Sequence, residues 1–179
     1  MQSSGDMQGV IGMIETKDLI LDKAKYGDWE KIFKNVWSRA EIAKYTVWRV
    51  SESAEDAKER ILKTIEFQKN HDTYFVYEKS SGDPIGFAGV EKVAPEIYEE
   101  AGICLGPDYT GKGYGKQILN CLVDYCKREF GAKEFIYTAR EDNEVSIRLA
   151  KSLGFRKTGT ELREQDGLVF NWIKFSLQL

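Results

Sequence analysis

The chain has 179 residues, 42% hydrophobic, 31% charged and 12% aromatic, with three prolines, which is enough for one compact core and the wrong composition for disorder or a collagen-like repeat. Lys and Arg number 26 against 29 Asp and Glu, a formal charge of −3, so the basic footprint of a nucleic-acid binder is missing. The three cysteines, Cys104, Cys121 and Cys126, form no C-x2-C pair and there is one histidine, which argues against a protein-built metal site, and without a long apolar run or a signal-like N-terminus we expect a reduced, cytoplasmic protein that keeps off membranes.

Residues 1–12 show no hydrophobic period and are set aside as a flexible leader or cloning remnant, leaving 13–179 as one domain. Leu19, Ile20 and Leu21 suit a first strand over 16–23. Trp29, Ile32, Phe33, Val36, Trp37 and Ala40 repeat at three and four, predicting a helix that Asp28 can cap. A second helix starts at Ser53 with Asp56 in a capping-box position, carries Ile61, Leu62 and Ile65 on one side, and ends near Asn70. The period then becomes two: Thr73 to Glu78 and Ile85 to Val93 read as a hairpin around Ser80 to Pro84. Gly86 and Gly89 in its second strand mark a bulge, a close approach of ligand or backbone, or a plain weakening.

Tyr98 to Leu105 reads as a strand that runs into the glycine-dense stretch 106–115, and a helix follows with Ile118, Leu119, Leu122, Val123, Cys126 and Phe130 inward and Gly131 at its end. Cys121 and Cys126 thus read as packing residues. Lys133 to Ala139 is a strand, Asn143 an N-cap, and Val145, Leu149 and Leu153 the buried line of a short helix closed by Gly154. Two strands, 155–163 and 168–177, finish the chain around Asp166-Gly167.

Strand, glycine-rich turn and helix in that order aim unpaired backbone N–H groups at an anion, aided by the positive end of the helix dipole, so 106–115 predicts a phosphate-bearing ligand. Glycine at 111, 113 and 115 exceeds what a bare turn needs. Gly106, Gly111 and Lys112 come within one residue of a Walker A loop, but Gly113 stands where that loop needs a hydroxyl for Mg²⁺. Lys116 stands where a dinucleotide fingerprint needs its third glycine.

The segment Thr110-Gly111-Lys112-Gly113-Tyr114-Gly115, preceded by Ala101-Gly102-Ile103-Cys104-Leu105, resembles the acyl-CoA pyrophosphate loop of the GNAT N-acetyltransferase superfamily. That family's pattern, Gln or Arg, two residues, Gly, one residue, Gly or Ala, falls on Thr110, Gly113 and Gly115, with Thr110 departing from the usual first residue. A second block, Asn143 to Phe155, resembles the family's late helix and its Gly-Phe end, and Glu15 to Leu21 looks like the first strand of the branch that includes ribosomal-protein N-terminal acetyltransferases. The resemblance covers roughly residues 14 to 177.

It implies an α/β fold with a central mixed, mostly antiparallel twisted sheet of six to seven strands flanked by about four helices. It further implies acetyl-CoA as cosubstrate, with no metal: pantetheine on backbone groups of Ile103, Cys104 and Leu105, pyrophosphate on the turn from Gly111 through Tyr114 to Gly115, and positive charge from Lys112 or Lys116. Asn143 is placed near the pantetheine as well as at its N-cap. A neutral amine would attack the thioester, with the Leu105 N–H stabilising the oxyanion. Many members carry a tyrosine acid on the late helix, where this chain has Ala150; Ser146, matching a serine of the ribosomal-protein branch, is the candidate donor to the thiolate, or else a surface residue. Glu91 is the candidate base through a water, with Glu96, Glu99 and Glu100 nearby, against a solvated acidic face; His71 reads as a cap-region residue. The partner implied is an amine acceptor, a protein N-terminus or a small cationic amine, held by residues 28 to 70, with Trp29, Trp37, Tyr45 and Trp48 shared between core and acceptor wall. Monomer or homodimer stays open. The rival readings are a catalytically silent acyl-CoA sensor, a P-loop-like nucleotide binder and a domain acting through protein contacts.

Overall fold

The computed structural model describes residues 12–45, 49–165 and 167–179, so the proposed leader (apart from Gly12), Trp48 and Asp166 lie outside the described residues. Among the described residues eight strands, β1 (Ile14–Glu15), β2 (Leu19–Asp22), β3 (Thr73–Glu78), β4 (Pro84–Ala94), β5 (Ile97–Leu105), β6 (Glu134–Arg140), β7 (Arg156–Gln165) and β8 (Leu168–Gln178), form one sheet in the order β1-β2-β3-β4-β5-β6-β8-β7. Every neighbouring pair is antiparallel except β5 with β6. The expected six to seven strands become eight because the first is split: Thr16 closes a tight turn on Leu19, its N–H reaching the Leu19 carbonyl at 2.9 Å, and Ile14 folds back opposite Leu21.

Helices α1 (Trp29–Ile32), α2 (Ala40–Ala43), α3 (Ala54–Gln68), α4 (Tyr114–Phe130) and α5 (Glu144–Ser152) cover both faces. The helix predicted over Trp29 to Ala40 is broken. The Ser38 N–H reaches five residues back to the Phe33 carbonyl at 2.9 Å in a π-type turn, and Arg39 is extended. Tertiary contact imposes this: the Asn35 amide donates to the Pro84 carbonyl at 2.9 Å on β4. Asp28 does not cap α1; its carboxylate accepts the Lys25 N–H at 2.8 Å and the Tyr77 hydroxyl at 2.6 Å. Ser53 does cap α3, accepting the Asp56 N–H at 3.1 Å, but Asp56 turns to Arg49 and the Glu52 N–H instead of completing a box. Leu62 is exposed while Ile61 is buried.

The strands at the centre of the sheet are buried on both sides. On β3, Tyr74 and Val76 join the cluster beneath α4 and α5, and Phe75 and Tyr77 join the one beneath α1 and α3. α4 buries Ile118, Leu119, Leu122, Val123 and Cys126 as its periodicity predicts, and Gly131, at φ 63°, ends it. On α5 Asn143 is the predicted N-cap, its side chain accepting the Ser146 N–H at 3.2 Å, but the buried line differs from the prediction. Val145 faces out, 70% exposed, and Ala150 is the fully buried residue. Among the described residues no helix is long and apolar enough to cross a membrane.

Of the readings left open for Gly86 and Gly89, close approach is the one the structure bears out. A Cβ on Gly86 would lie 2.1 Å from the Cys104 carbonyl oxygen, and one on Gly89 would lie 2.6 Å from the Thr73 methyl. The bulge is on the facing strand: Ala88 registers with Ile103 and Val90 with Glu100, so Ala101 and Gly102 together oppose Gly89. Gly102 takes φ 103°, a backbone state in which an L side chain is strained.

Candidate active site at the forked strands

The parallel ladder between β5 and β6 pairs Ile97 with Glu134, Tyr98 with Phe135 and Glu99 with Ile136. Beyond that point β5 continues to Leu105 and β6 to Arg140 with no register between them, so the sheet forks. The backbone groups of successive strand residues point to opposite edges. Cys104 faces β4, its carbonyl crowding Gly86, and Gly106 donates to the Ile85 carbonyl on the same edge at 2.8 Å. Ile103 and Leu105 therefore aim their N–H and C=O groups into the fork. This corrects the sequence reading for Cys104, whose backbone serves β4 and whose side chain is buried beneath α1 and α3. Burial pushes its thiol up to about 12, which keeps it unreactive.

Glu100 sits where the strands part, and its carboxyl group spans them. One oxygen accepts the Gly102 N–H of β5 at 2.6 Å and the other accepts the Thr138 hydroxyl of β6 at 3.4 Å. Burial pushes this carboxyl up to about 8, against the opposing pull of the Gly102 N–H. Tyr137, on β6, lies near enough for the Glu100 charge to act on it, and its hydroxyl reaches that of Ser146 on α5; burial raises it well above the usual phenol range. The sequence reading missed Tyr137, which looks like any aromatic strand residue, although a tyrosine one strand from a glycine-rich turn was the available hint.

At the open end of the fork lies the glycine turn. Gly111 and Gly113 have φ 75° and 79°, and a Cβ at either would meet nothing within 4 Å. They serve backbone conformation and leave the space beside them clear. The first bond of this helix end runs from the Gln117 N–H to the Gly113 carbonyl at 3.3 Å, which leaves the N–H groups of Tyr114, Gly115 and Lys116 as the first-turn donors of α4. Gly115 has only an ordinary contact nearby, Leu149 at 3.6 Å. Lys116 is exposed. Lys112 leans toward Glu78, 3.5 Å away, and that buried carboxylate also accepts Tyr114 at 2.8 Å and Ser81 at 3.0 Å. The Tyr114 hydrogen bond holds the Glu78 carboxyl below its usual range. Thr110 turns its hydroxyl to the Pro107 carbonyl at 2.9 Å.

The opposite face of the fork belongs to α1–α3. Glu91 and Glu99 are cross-strand neighbours there; Glu91 is exposed at the outer end of β4, and Glu99 is half-buried where the β5–β6 ladder stops. Burial is the main cause that raises the Glu99 carboxyl, with Glu91 adding to it. Tyr45 packs on the Arg140 guanidinium, 4.7 Å from its ring centre, with Phe170 on the other side at 4.0 Å. Trp37 is core, edge-on to Phe75, and Trp29 is half-buried under Lys58. His71 stacks on Phe67 at 3.7 Å. A groove of about 1210 Å³ beside it, lined by Lys23, Asp72 and Tyr125 among others, contains none of the fork residues.

Residues 18–156 match the family described as acetyltransferase (GNAT) domain. The N-alpha-acetyltransferase RimI of Mycobacterium tuberculosis is 30% identical over 93 residues, 50% of this chain and only 56% of that protein. The uncharacterized N-acetyltransferase YnaD of Bacillus subtilis is 27% identical over 146 residues, 82% of this chain and 84% of its own. In fold, the ribosomal-protein-S5-alanine acetyltransferase of Vibrio fischeri superposes with a TM-score of 0.75 at 20% identity, covering 94% of this chain and 97% of that one. Forked strands, a glycine turn at a helix N-terminus and the family match over residues 18–156 agree, and the chain belongs to the GNAT acetyltransferase family.

Proposed function

We propose that the protein transfers the acetyl group of acetyl-CoA to a primary amine, a protein N-terminus or a small cationic amine, with both substrates bound together. The observation that carries this reading is the fork, where Ile103 and Leu105 have no ladder partner on β6 among the described residues and the chain runs on to the clear space at Gly111 and Gly113. A pantetheine chain needs an extended partner edge and a pyrophosphate needs N–H donors at a helix start, and the two lie in that order. Tyr114, Gly115 and Lys116 supply the N–H donors, Lys116 and Lys112 the positive charge, and Asn143 borders the slot from the start of α5.

The chemistry asked of the chain is modest. Bringing amine and thioester together in one site supplies a large part of the acceleration. The Leu105 N–H, pointing into the fork, stabilises the negative charge that develops on the thioester oxygen. As the carbon–nitrogen bond forms, the amine proton leaves through a water to Glu99, with Glu91 beside it; the half-buried Glu99 is better placed for this than Glu91 because it stands at the fork itself. As the carbon–sulfur bond breaks, Ser146 donates a proton to the sulfur, with the Tyr137 hydroxyl within reach to resupply it.

Thermal unfolding with added ligand tests this directly. Acetyl-CoA at about 100 times its Kd is expected to add roughly 2.7 kcal/mol of apparent stability, with no shift from Mg-ATP, and an amine screen read by thiol release is expected to show turnover. A shift with acetyl-CoA but no thiol release from any amine would favour the silent sensor. A shift with Mg-ATP alone would overturn the reading in favour of a nucleotide binder.

A further inference from the structure

Resting on that reading of the fork, we propose that the acceptor carries an anionic group beyond its amine, and that Lys174 and Arg163 select for it. The face that would receive the acceptor is not uniformly acidic. Across the fork from Glu91 and Glu99, Thr138 of β6 registers with Lys174 of β8, Arg140 registers with Trp172, and Trp172 registers with Glu161 of β7. Ile173 and Phe175 pack into the α4 cluster, so alternation turns Trp172 and Lys174 to the acceptor side. Register carries Thr138, Glu161 and Arg163 with them. The charges of Arg163, Lys174, Glu91 and Glu161 all bear on Glu99, which places the five groups around one patch.

The two banks of the fork then ask for different things. An ammonium held by Glu91 and Glu99 leaves the rest of the acceptor to extend toward β8 and β7, where it meets Lys174. No carboxylate of the described residues lies in ion-pair contact with that side chain. Arg163 is ion-paired to Glu161 and covers the Trp172 ring at 4.9 Å from its centre. Arg140 is already committed, bound through two nitrogens to Asp142 at 2.6 and 2.9 Å. A polyamine would bring a second cation against Lys174, whereas a carboxylate there finds a counter-charge.

Trp172 supplies an independent observation. Its indole N–H is buried and has no hydrogen-bond partner among the described residues. An orphan donor of this kind is stabilised by an incoming acceptor oxygen, and leaving it unmade is costly. Carboxylates and peptide carbonyls provide such an oxygen, and a polyamine offers only donors at neutral pH.

The test is an acceptor panel read by thiol release: two hexapeptides with N-terminal Ser-Asp and Ser-Lys but otherwise identical, free aspartate, and spermidine. The wild-type protein is expected to use the Asp peptide or free aspartate at least about fivefold better in kcat/KM than the Lys peptide or spermidine. Preference for the peptide over free aspartate identifies a protein N-terminus as the source of the anion, and the reverse identifies a small amino acid; either supports the proposal. Lys174→Glu, at an exposed position where folding is not at stake, is expected to reverse the Asp-over-Lys order. A wild-type preference for spermidine or the Lys peptide, or an order that Lys174→Glu and Arg163→Glu leave unchanged, overturns the inference while leaving acetyl transfer standing. Thiol release from none of these or any other amine counts instead against the transferase reading.

Discussion

Glu100→Gln is expected to gain stability relative to the wild-type protein as the pH is raised from 5 to 9. Burial raises the Glu100 carboxyl from its ordinary 4.5 to about 8, so in the folded chain it stays protonated over a range in which the unfolded chain has already released that proton. The folded state then binds more protons than the unfolded one, and stability falls with rising pH through this window until the folded group ionises too. Each unit of displacement corresponds to about 1.4 kcal/mol, so the wild-type protein loses a few kcal/mol that the amide variant does not. The variant's amide nitrogen faces donors that the carboxyl oxygens now accept, and this lowers its stability by an amount that does not vary with pH. The difference between the two denaturation curves at pH 5, 7 and 9 isolates the titration, and parallel pH dependences would refute the placement of this carboxyl between the strands.

That prediction matters for function because Glu100 is what occupies the angle of the fork. A carboxyl joined to the Gly102 N–H on one strand and to Thr138 on the other takes the place of the ladder bonds that the diverging strands no longer make. The slot begins where this side chain ends. A change that collapses the angle removes the edge on which Ile103 and Leu105 present their backbone groups.

Little of this was legible in the sequence. Hydrophobic period and turn residues found α3, α4 and the β3–β4 hairpin, because those elements are held by patterns local to them. The glycine turn was legible for the same reason, since positive φ at Gly111 and Gly113 leaves a compositional trace. The fork left none: alternation looks the same in a strand that is paired and in one that has lost its neighbour. Glu99 and Glu100 read as one acidic stretch, yet the ladder ends between them and sends one to the acceptor face and the other into the angle. The break between α1 and α2 is likewise set from outside, by Asn35 bonding to Pro84 and lying against Gly106. Glu78 was invisible as a site residue because its partners, Tyr114 and Lys112, come from 36 and 34 positions further along the chain.

Gly86→Ala is expected to be the most damaging conservative change in the protein, lowering stability by about 3 kcal/mol or more. The added methyl would stand 2.1 Å from the Cys104 carbonyl oxygen and 3.1 Å from both the Cys104 carbonyl carbon and the Leu105 Cα. All three are backbone atoms, so no rotamer change relieves the clash and β4 must move away from β5. That displacement acts on the stretch of β5 whose other edge forms the slot, so any folded fraction should also bind acetyl-CoA poorly. Gly113→Ala is the informative contrast. Its position has φ 79° but open space around it, so the expected loss is only about 1 kcal/mol of backbone strain, while the N–H groups that start α4 are re-aimed. Chemical denaturation of the two variants should therefore separate them clearly, and acetyl-CoA should protect Gly113→Ala from thermal unfolding much less than it protects the wild-type protein. Equal, small stability losses in both would mean that β4 and β5 do not approach as closely as Gly86 requires. Full protection of Gly113→Ala by acetyl-CoA would mean that the glycine turn does not hold the pyrophosphate.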